Sequence, residues 1–159
     1  MAYRSLEECL LDLEKNGQLV RVKEEVDPTL EMAAIHLRVF EKQGPALLFE
    51  NVKGSSFRAA SNIFGTIERS RFIFRDNIAS VEKLINLKNN PAAALKKPFG
   101  LLSAGLAALK SVPLKNPINK PVLFEEISID KLPLIKHWPM DGGAFVTLPQ
   151  VYTEDVDYP

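Results

Sequence analysis

The chain has 159 residues, of which 46% are hydrophobic and 25% charged, with 20 basic side chains against 20 acidic ones. This composition excludes a disordered or fibrous chain, and at such a length folding buries roughly 70% of the unfolded surface, so stability needs neither metal nor disulfides. Zero net charge removes any whole-molecule case for nucleic acid, the lone Cys9 excludes an intrachain disulfide, and no apolar stretch is long enough to span a membrane.

The opening segment predicts a helix. Ser5 can accept from the backbone of Glu8 while Glu8 reaches back, a reciprocal capping box. Leu6, Cys9, Leu10 and Leu13 then recur at helical spacing, and Gly17 sits where a left-handed cap is wanted. Cys9 lies on the apolar face and reads as a core thiol, since no histidine or basic cluster adjoins it. The first fifteen residues carry four acids and no unbroken apolar run, unlike a secretion signal, so the expected location is cytoplasmic.

After Gly17, Leu19, Val20 and Val22 with Arg21 and Lys23 between them predict a half-buried strand ending near Val26. Asp27 and Pro28 supply an N-cap and a first-turn proline. The helix they open is expected to run to about Gln43, to bury Leu30, Ala34, Leu37 and Phe40, and to stop at Gly44-Pro45. His36 on this helix has no second histidine one turn on and reads as a satisfied or partly exposed helix residue rather than a ligand. Two short apolar runs follow, Ala46 to Glu50 and Phe57 to Ile63, joined by the turn residues Lys53-Gly54-Ser55. The order helix, strand, helix, strand, strand implies an α+β fold, a mixed β-sheet covered by helices. Residues 66–110 read as helical pieces punctuated by Asp76-Asn77, Asn90-Pro91 and Lys97-Pro98.

Charge and proline are unevenly spread. Residues 88–120 hold six lysines and no acid, whereas residues 121–159 hold two lysines and seven acids. Prolines 113, 117 and 121 mark an extended linker at 113–121. Within 99–110, Phe99, Leu102, Leu106 and Leu109 form one stripe with Lys96, Lys97 and Lys110 at its ends; a packed helix is the favoured reading, a membrane-surface helix the alternative.

The stretch from Leu132 to Thr147 carries the densest signals. Gly142 and Gly143 permit unusual backbone geometry and an anion cradle, but two glycines alone are weak evidence for a phosphate site. His137 and Asp141 are separated by the helix-breaking Pro139, which argues against a metal pair, and Asp141 to Thr147 reads as a turn into a strand.

The run Leu132-Pro133, His137-Trp138-Pro139, Asp141-Gly142-Gly143, Phe145-Val146-Thr147 and Thr153-Glu154-Asp155 resembles the entry segment of UbiD-type decarboxylases. Upstream, Tyr3-Arg4-Ser5-Leu6, Gly17-Gln18-Leu19-Val20-Arg21-Val22, Asp27-Pro28 and the segment Gly44-Pro45-Ala46-Leu47-Leu48-Phe49-Glu50-Asn51-Val52 follow the amino-terminal domain of that family in order. The resemblance implies a carboxy-lyase acting on aromatic or α,β-unsaturated acids, including the quinone-precursor acids of ubiquinone biosynthesis. Its implied cofactor is prenylated FMN, with a divalent metal (Mn) and potassium at the flavin phosphate.

On that resemblance, residues 1–112 form the amino-terminal domain, 113–121 the linker, and 122–159 the leading strand of a split β-barrel that binds flavin. Thr147 matches a residue beside the flavin and is the one cofactor-binding candidate; its other reading is a plain strand threonine. His137 is read as structural. The Asn, His and Glu that hold the metal in the family, and its Glu-Arg-Glu proton network, lie beyond the position of Tyr158-Pro159, so no catalytic or metal-binding residue is expected here. The implied partners are the remainder of the decarboxylase or a separately encoded subunit, and a flavin prenyltransferase as cofactor supplier; separately, the unpaired edge of a strand at 144–153 predicts either disorder beyond Lys120 or a second copy paired through that strand. The rival expectation is a stand-alone binding or assembly module using the basic 88–120 segment for an anionic partner.

Overall fold

The computed structural model describes residues 3–89 and 127–148. The 99–110 stripe, the 113–121 linker and the Thr153-Glu154-Asp155 motif lie outside the described residues. The described chain divides into two compact units, one comprising 3–11 and 66–89, the other 12–65 and 127–148.

Helix α1, Leu6–Lys15, starts and ends much as its sequence requires. Ser5 Oγ accepts from Glu8 N at 3.2 Å, but the Glu8 carboxylate accepts from Arg4 N at 2.7 Å, so only half of the capping box forms. At the other end Gly17 has φ +68°, its N–H reaches Glu14 O at 3.0 Å and Gln18 N reaches Leu13 O at 2.8 Å. This paired closure needs a left-handed residue, which glycine adopts without steric cost. Cys9, Leu10 and Leu13 are buried while Leu6 is exposed.

The larger unit is built on a β-α-β crossover. Strand β1, Leu19–Val26, pairs in parallel with β2, Ala46–Val52, through helix α2, Glu31–Glu41. Strand β3, Ala59–Ser61, then pairs antiparallel with β2, giving a mixed sheet in the order β1-β2-β3. The central strand reads Ala-Leu-Leu-Phe because both its faces are covered, and Ala46, Leu47, Leu48, Phe49 and Val52 are all buried. Gly54, at φ +79°, makes the turn out of β2. The core joins Val26, Met32, Leu47, Phe49 and Val52, with Val22, Ile35, Val39, Ala59 and Ile135 packed around it.

The expected α2 needs two corrections. It begins at Glu31 rather than at Pro28, because Thr29 is drawn into a bridge with Lys136 and Leu30 is held at φ 67°. Asp27 makes a local turn instead of a helix cap, its carboxylate accepting from Thr29 N at 2.8 Å. The buried face is also different: Met32, Ile35 and Val39 face the core, while Leu30, Ala34, Leu37 and Phe40, all expected inside, stay exposed. The helix is apolar on two sides, so spacing alone allowed either stripe.

Asn62 ties the sheet to the loop after α2. It is 6% exposed, has φ 56°, and its Nδ2 donates to Pro45 O at 2.8 Å and to Gly44 O at 3.2 Å. Gly65 lies so close to the Asn62 carboxamide that no Cβ fits there without rearrangement.

In the smaller unit, helix α3, Ile67–Ile73, is capped by Thr66, whose Oγ1 accepts from Arg69 N at 3.1 Å. Helix α4, Arg75–Asn89, follows after a break at Phe74, slightly ahead of the expected Asp76-Asn77. Arg75 lies over the Phe72 ring, 4.1 Å from its centroid, and donates to the Tyr3 hydroxyl at 2.8 Å.

Candidate functional site

The residues singled out by sequence meet where 127–148 docks on the loop between β1 and α2. The attachment is made largely by backbone: Lys136 N donates to Pro28 O at 3.2 Å and Leu30 N donates to Lys136 O at 2.9 Å. Ser55 Oγ adds a bond to Lys131 O at 2.8 Å. Ile135, partly buried, packs against the core cluster of the larger unit, as Ile35 and Val39 do, so the segment adds an apolar side chain to the rim of that core. The loop itself is stiffened by the Asp27–Lys53 ion pair at 2.8 Å. Asp27 is held below the usual carboxylate range first by Lys53 and then by the Thr29 N–H.

Beyond Lys136 the chain makes a tight turn. Asp141 Oδ2 accepts from His137 N at 3.0 Å and from Trp138 N at 2.8 Å, while Asp141 N donates to Trp138 O at 3.1 Å. The spacing of His137 and Asp141 thus serves the backbone. Pro139 forbids helix, and a carboxylate two residues later collects the amides that the proline turn leaves free. The expected turn is present, but the expected strand contracts to one bridge, with Phe145 and Ile135 exchanging two hydrogen bonds of 3.1 Å each. A strand requires a continued ladder, and among the described residues the pairing ends at Phe145. The His137 ring meets the Phe145 ring edge-on at 5.0 Å.

His36 donates to or accepts from Ser61 Oγ through Nδ1 at 2.6 Å and stacks on Phe40 at 6.1 Å. Burial pushes its pKa down, and the charge of His137 adds to the shift. The fold therefore brings the chain's two histidines within electrostatic reach, a juxtaposition absent from sequence spacing. Nothing in the local motif signals it, because the juxtaposition depends on Lys136 pairing with the loop that precedes α2. Among the described residues no group of three His, Cys, Asp or Glu side chains is arranged to hold a metal.

Thr147 is exposed and lies in a bend just past the Phe145 bridge. Gly142 and Gly143 are also exposed, neither adopts positive φ, and a Cβ at either would meet nothing within 4 Å. The unusual backbone geometry that two glycines permit is therefore not used. One exposed hydroxyl does not make a flavin site, which requires contacts to phosphate, ribityl chain and ring together. The described residues do not by themselves fit the cofactor.

Comparison with known proteins places this geometry. The 3-octaprenyl-4-hydroxybenzoate carboxy-lyase N-terminal domain matches residues 10–88, and the Rift-related domain of the same carboxy-lyase matches residues 110–158. The chain belongs to the UbiD family. It corresponds to the amino-terminal portion, with the two matches in the family's order.

A Chlamydia pneumoniae protein, named as one of the subunits of a 4-hydroxybenzoate decarboxylase, is 44% identical over 142 residues, covering 86% of this chain and 24% of its own length. An uncharacterized protein of Chlamydia caviae is 41% identical over 159 residues, 97% of this chain and 27% of its own length. The chain thus spans about a quarter of the length of these UbiD relatives. An evolved dimeric form of the UbiD-class enzyme HmfF from Pelotomaculum thermopropionicum, solved in complex with prFMN, is 29% identical, with a TM-score of 0.55 over 89% of this chain and 30% of that one. The mixed three-stranded sheet with its helices is a UbiD-class amino-terminal fold. Among the described residues, no helix is long and apolar enough to cross a membrane.

Proposed function

We propose that these residues serve a UbiD-type carboxy-lyase which removes the carboxyl group of an aromatic or α,β-unsaturated acid of the 3-polyprenyl-4-hydroxybenzoate type, using prenylated FMN with a divalent metal and potassium. The observation that carries this reading is the pair of family matches at 10–88 and 110–158, in order along one chain. The boundary between the two parts lies near residue 112, with 113–121 as linker and 122–159 as the lead into the flavin-binding domain. The work is cytoplasmic, a flavin prenyltransferase supplies the cofactor, and the partner is the remaining decarboxylase polypeptide, joined to this chain or separate. The name of the Chlamydia pneumoniae relative, which describes one of several decarboxylase subunits, supports a separately encoded partner.

Once held by the complete site, prenylated FMN would supply the electron sink for decarboxylation. This chain's own contribution is positional: the Lys136 backbone pairs and the Asp141 turn hold the lead-in segment at a fixed place on the β1–α2 loop. With the rest of the site in place, Thr147 would be the residue of this chain able to contribute a hydroxyl to holding the flavin. One such bond is worth about 1 kcal/mol against an association cost of at least about 4 kcal/mol, so the 159 residues alone neither bind flavin tightly nor decarboxylate.

Isothermal titration of the purified chain with FMN and prenylated FMN, with Mn²⁺ and K⁺ present, tests this directly. The expected result is no micromolar binding alone, and decarboxylation of 4-hydroxybenzoate-type acids after mixing with the downstream polypeptide of a relative. Micromolar binding by the chain alone that vanishes in Thr147→Ala would overturn the division of labour.

A further inference from the structure

The turn at 137–141 has a fixed root and an apolar tip. Its root is held by the hydrogen bonds that the His137 and Trp138 amides donate to Asp141, by the Ile135–Phe145 bridge and by the Lys136 hydrogen bonds to the β1–α2 loop. At its tip Trp138 is 64% exposed and Met140 is 93% exposed, with Leu148 a few residues on at 81%. A tryptophan left in water on a braced turn is unlike the scattered exposed leucines of an ordinary surface. Holding the loop in one conformation removes the ordering cost that a flexible loop pays on association, and tryptophan is the residue most enriched among binding hot spots.

We propose that this turn is a preformed docking knob, through which Trp138 and Met140 anchor the downstream polypeptide of the longer family members. The occupant follows from two observations. The turn lies inside the 110–158 match to the Rift-related domain, and the chain's match covers only 24% to 33% of the relatives' length, so they carry far more polypeptide than is present here. The same fold is embedded in a UbiD-class enzyme of which this chain covers 30%. Other exposed apolar residues, such as Leu37 and Phe40 on α2, are on a helix face to which neither observation points. The proposal deepens the decarboxylase reading and rests on it for the identity of the partner. Asp141 is a positioning residue: its carboxylate is spent on the His137 and Trp138 amides.

Trp138 is the sole tryptophan of the sequence, so a fluorotryptophan-labelled chain reports on it alone by fluorine NMR. The labelled chain is mixed with the part of the Chlamydia pneumoniae relative that follows its match to this chain, first confirmed as folded by a cooperative thermal melt, and the dissociation constant is measured by titration calorimetry. The expected result is a shifted Trp138 resonance that loses its sensitivity to solvent deuterium, and affinity reduced about tenfold or more by Trp138→Ala and less by Met140→Ala. Asp141→Ala should weaken binding severalfold, with rescue by Asp141→Asn, whose carbonyl still accepts from the two amides. Unchanged melting of each variant separates docking from folding.

A complex in which Trp138 stays solvent-exposed, or whose affinity ignores Trp138→Ala, overturns the proposal, and decarboxylation by that mixture would leave the enzyme reading standing. A complex that buries Trp138 but decarboxylates nothing supports the knob and counts against the enzyme reading. A resonance that shifts with the chain's own concentration, with a dimer in sedimentation, assigns the knob to a second copy and overturns the proposal, as does absence of any complex.

Discussion

Residues 12–65 and residues 127–148 belong to the same compact unit but are held in different ways. The first places a central strand with five buried apolar residues between two neighbours and closes a core around Phe49. The second packs Ile135 against that core, attaches by backbone bonds, and leaves Trp138, Met140, Phe145, Val146 and Leu148 in water. Backbone pairing fixes where a segment sits, whereas burial of side chains supplies the bulk of stability. The body thus carries the buried core, and the segment is held chiefly by backbone bonds and by Ile135 packed against that core.

The largest test of that contrast is a pair of truncations. Phe49→Ala, at a site with 0% exposure, should cost about 3–5 kcal/mol in urea denaturation, as expected for an aromatic removed from a packed core. Phe145→Ala, at 41% exposure, should cost under about 1 kcal/mol globally while speeding amide exchange at Ile135. Equal losses at the two sites would erase the distinction.

A somewhat smaller effect is expected where the body is tied together by polar groups. Asn62→Ala removes two buried donations to the Gly44 and Pro45 carbonyls and puts alanine at φ 56°, so a loss of about 2–3 kcal/mol should appear in the same denaturation curves. Asn62→Gly should lose less, because glycine accepts that φ; an equal loss would mean that backbone strain contributes nothing.

The histidines sharpen the comparison through pH. His36 has a folded pKa below its ordinary 6.5, chiefly from burial and then from His137. The folded state therefore favours neutral His36. Its contribution to stability is complete above about 6.5 and declines as pH falls from there toward the folded pKa. Thermal melts between about pH 7.5 and 5.5 should show a steeper decline for the native chain than for His36→Gln. Parallel declines would remove His36 as the source. At lower pH, Glu14, held below its usual range by Arg21, and Asp27, held down by Lys53, should add a further loss as each is protonated.

The smallest expected effects are at the exposed end of the segment. Thr147→Ala and Gly142→Ala should each leave stability within about 0.5 kcal/mol of native, since Thr147 is exposed and Gly142 has open space around it. A larger change would mean that the segment's end is packed after all.

Much of the body was legible in the order of residues. Ser5, Gly17, the β1 pattern, the Ala46–Val52 run and the turn at Gly54 each act through neighbours in sequence, and each stands where its local chemistry requires. The candidate site was less legible. The Asp141 carboxylate accepts from the His137 and Trp138 amides, a turn that their spacing did not announce, and the strand expected through Thr147 lacked the ladder that a strand needs. The Ser61–His36 contact joins residues far apart in the chain and leaves no spacing signature.

The sequence by itself determined the α+β class and the places of most turns, because caps, turn glycines and apolar periods are local physics, and the order of its motifs along the chain carried the resemblance to the family. Only the tertiary structure decided which face of α2 is buried and where that helix begins. Leu30, Ala34 and Leu37 match a helical stripe as well as Met32, Ile35 and Val39 do, and local free energies scarcely separate the two. The choice falls to Met32, Ile35 and Val39 because Phe49 and Ile135 lie beneath them, and to Glu31 as first residue because Lys136 captures Thr29 and Leu30 from a segment more than a hundred residues away in the chain.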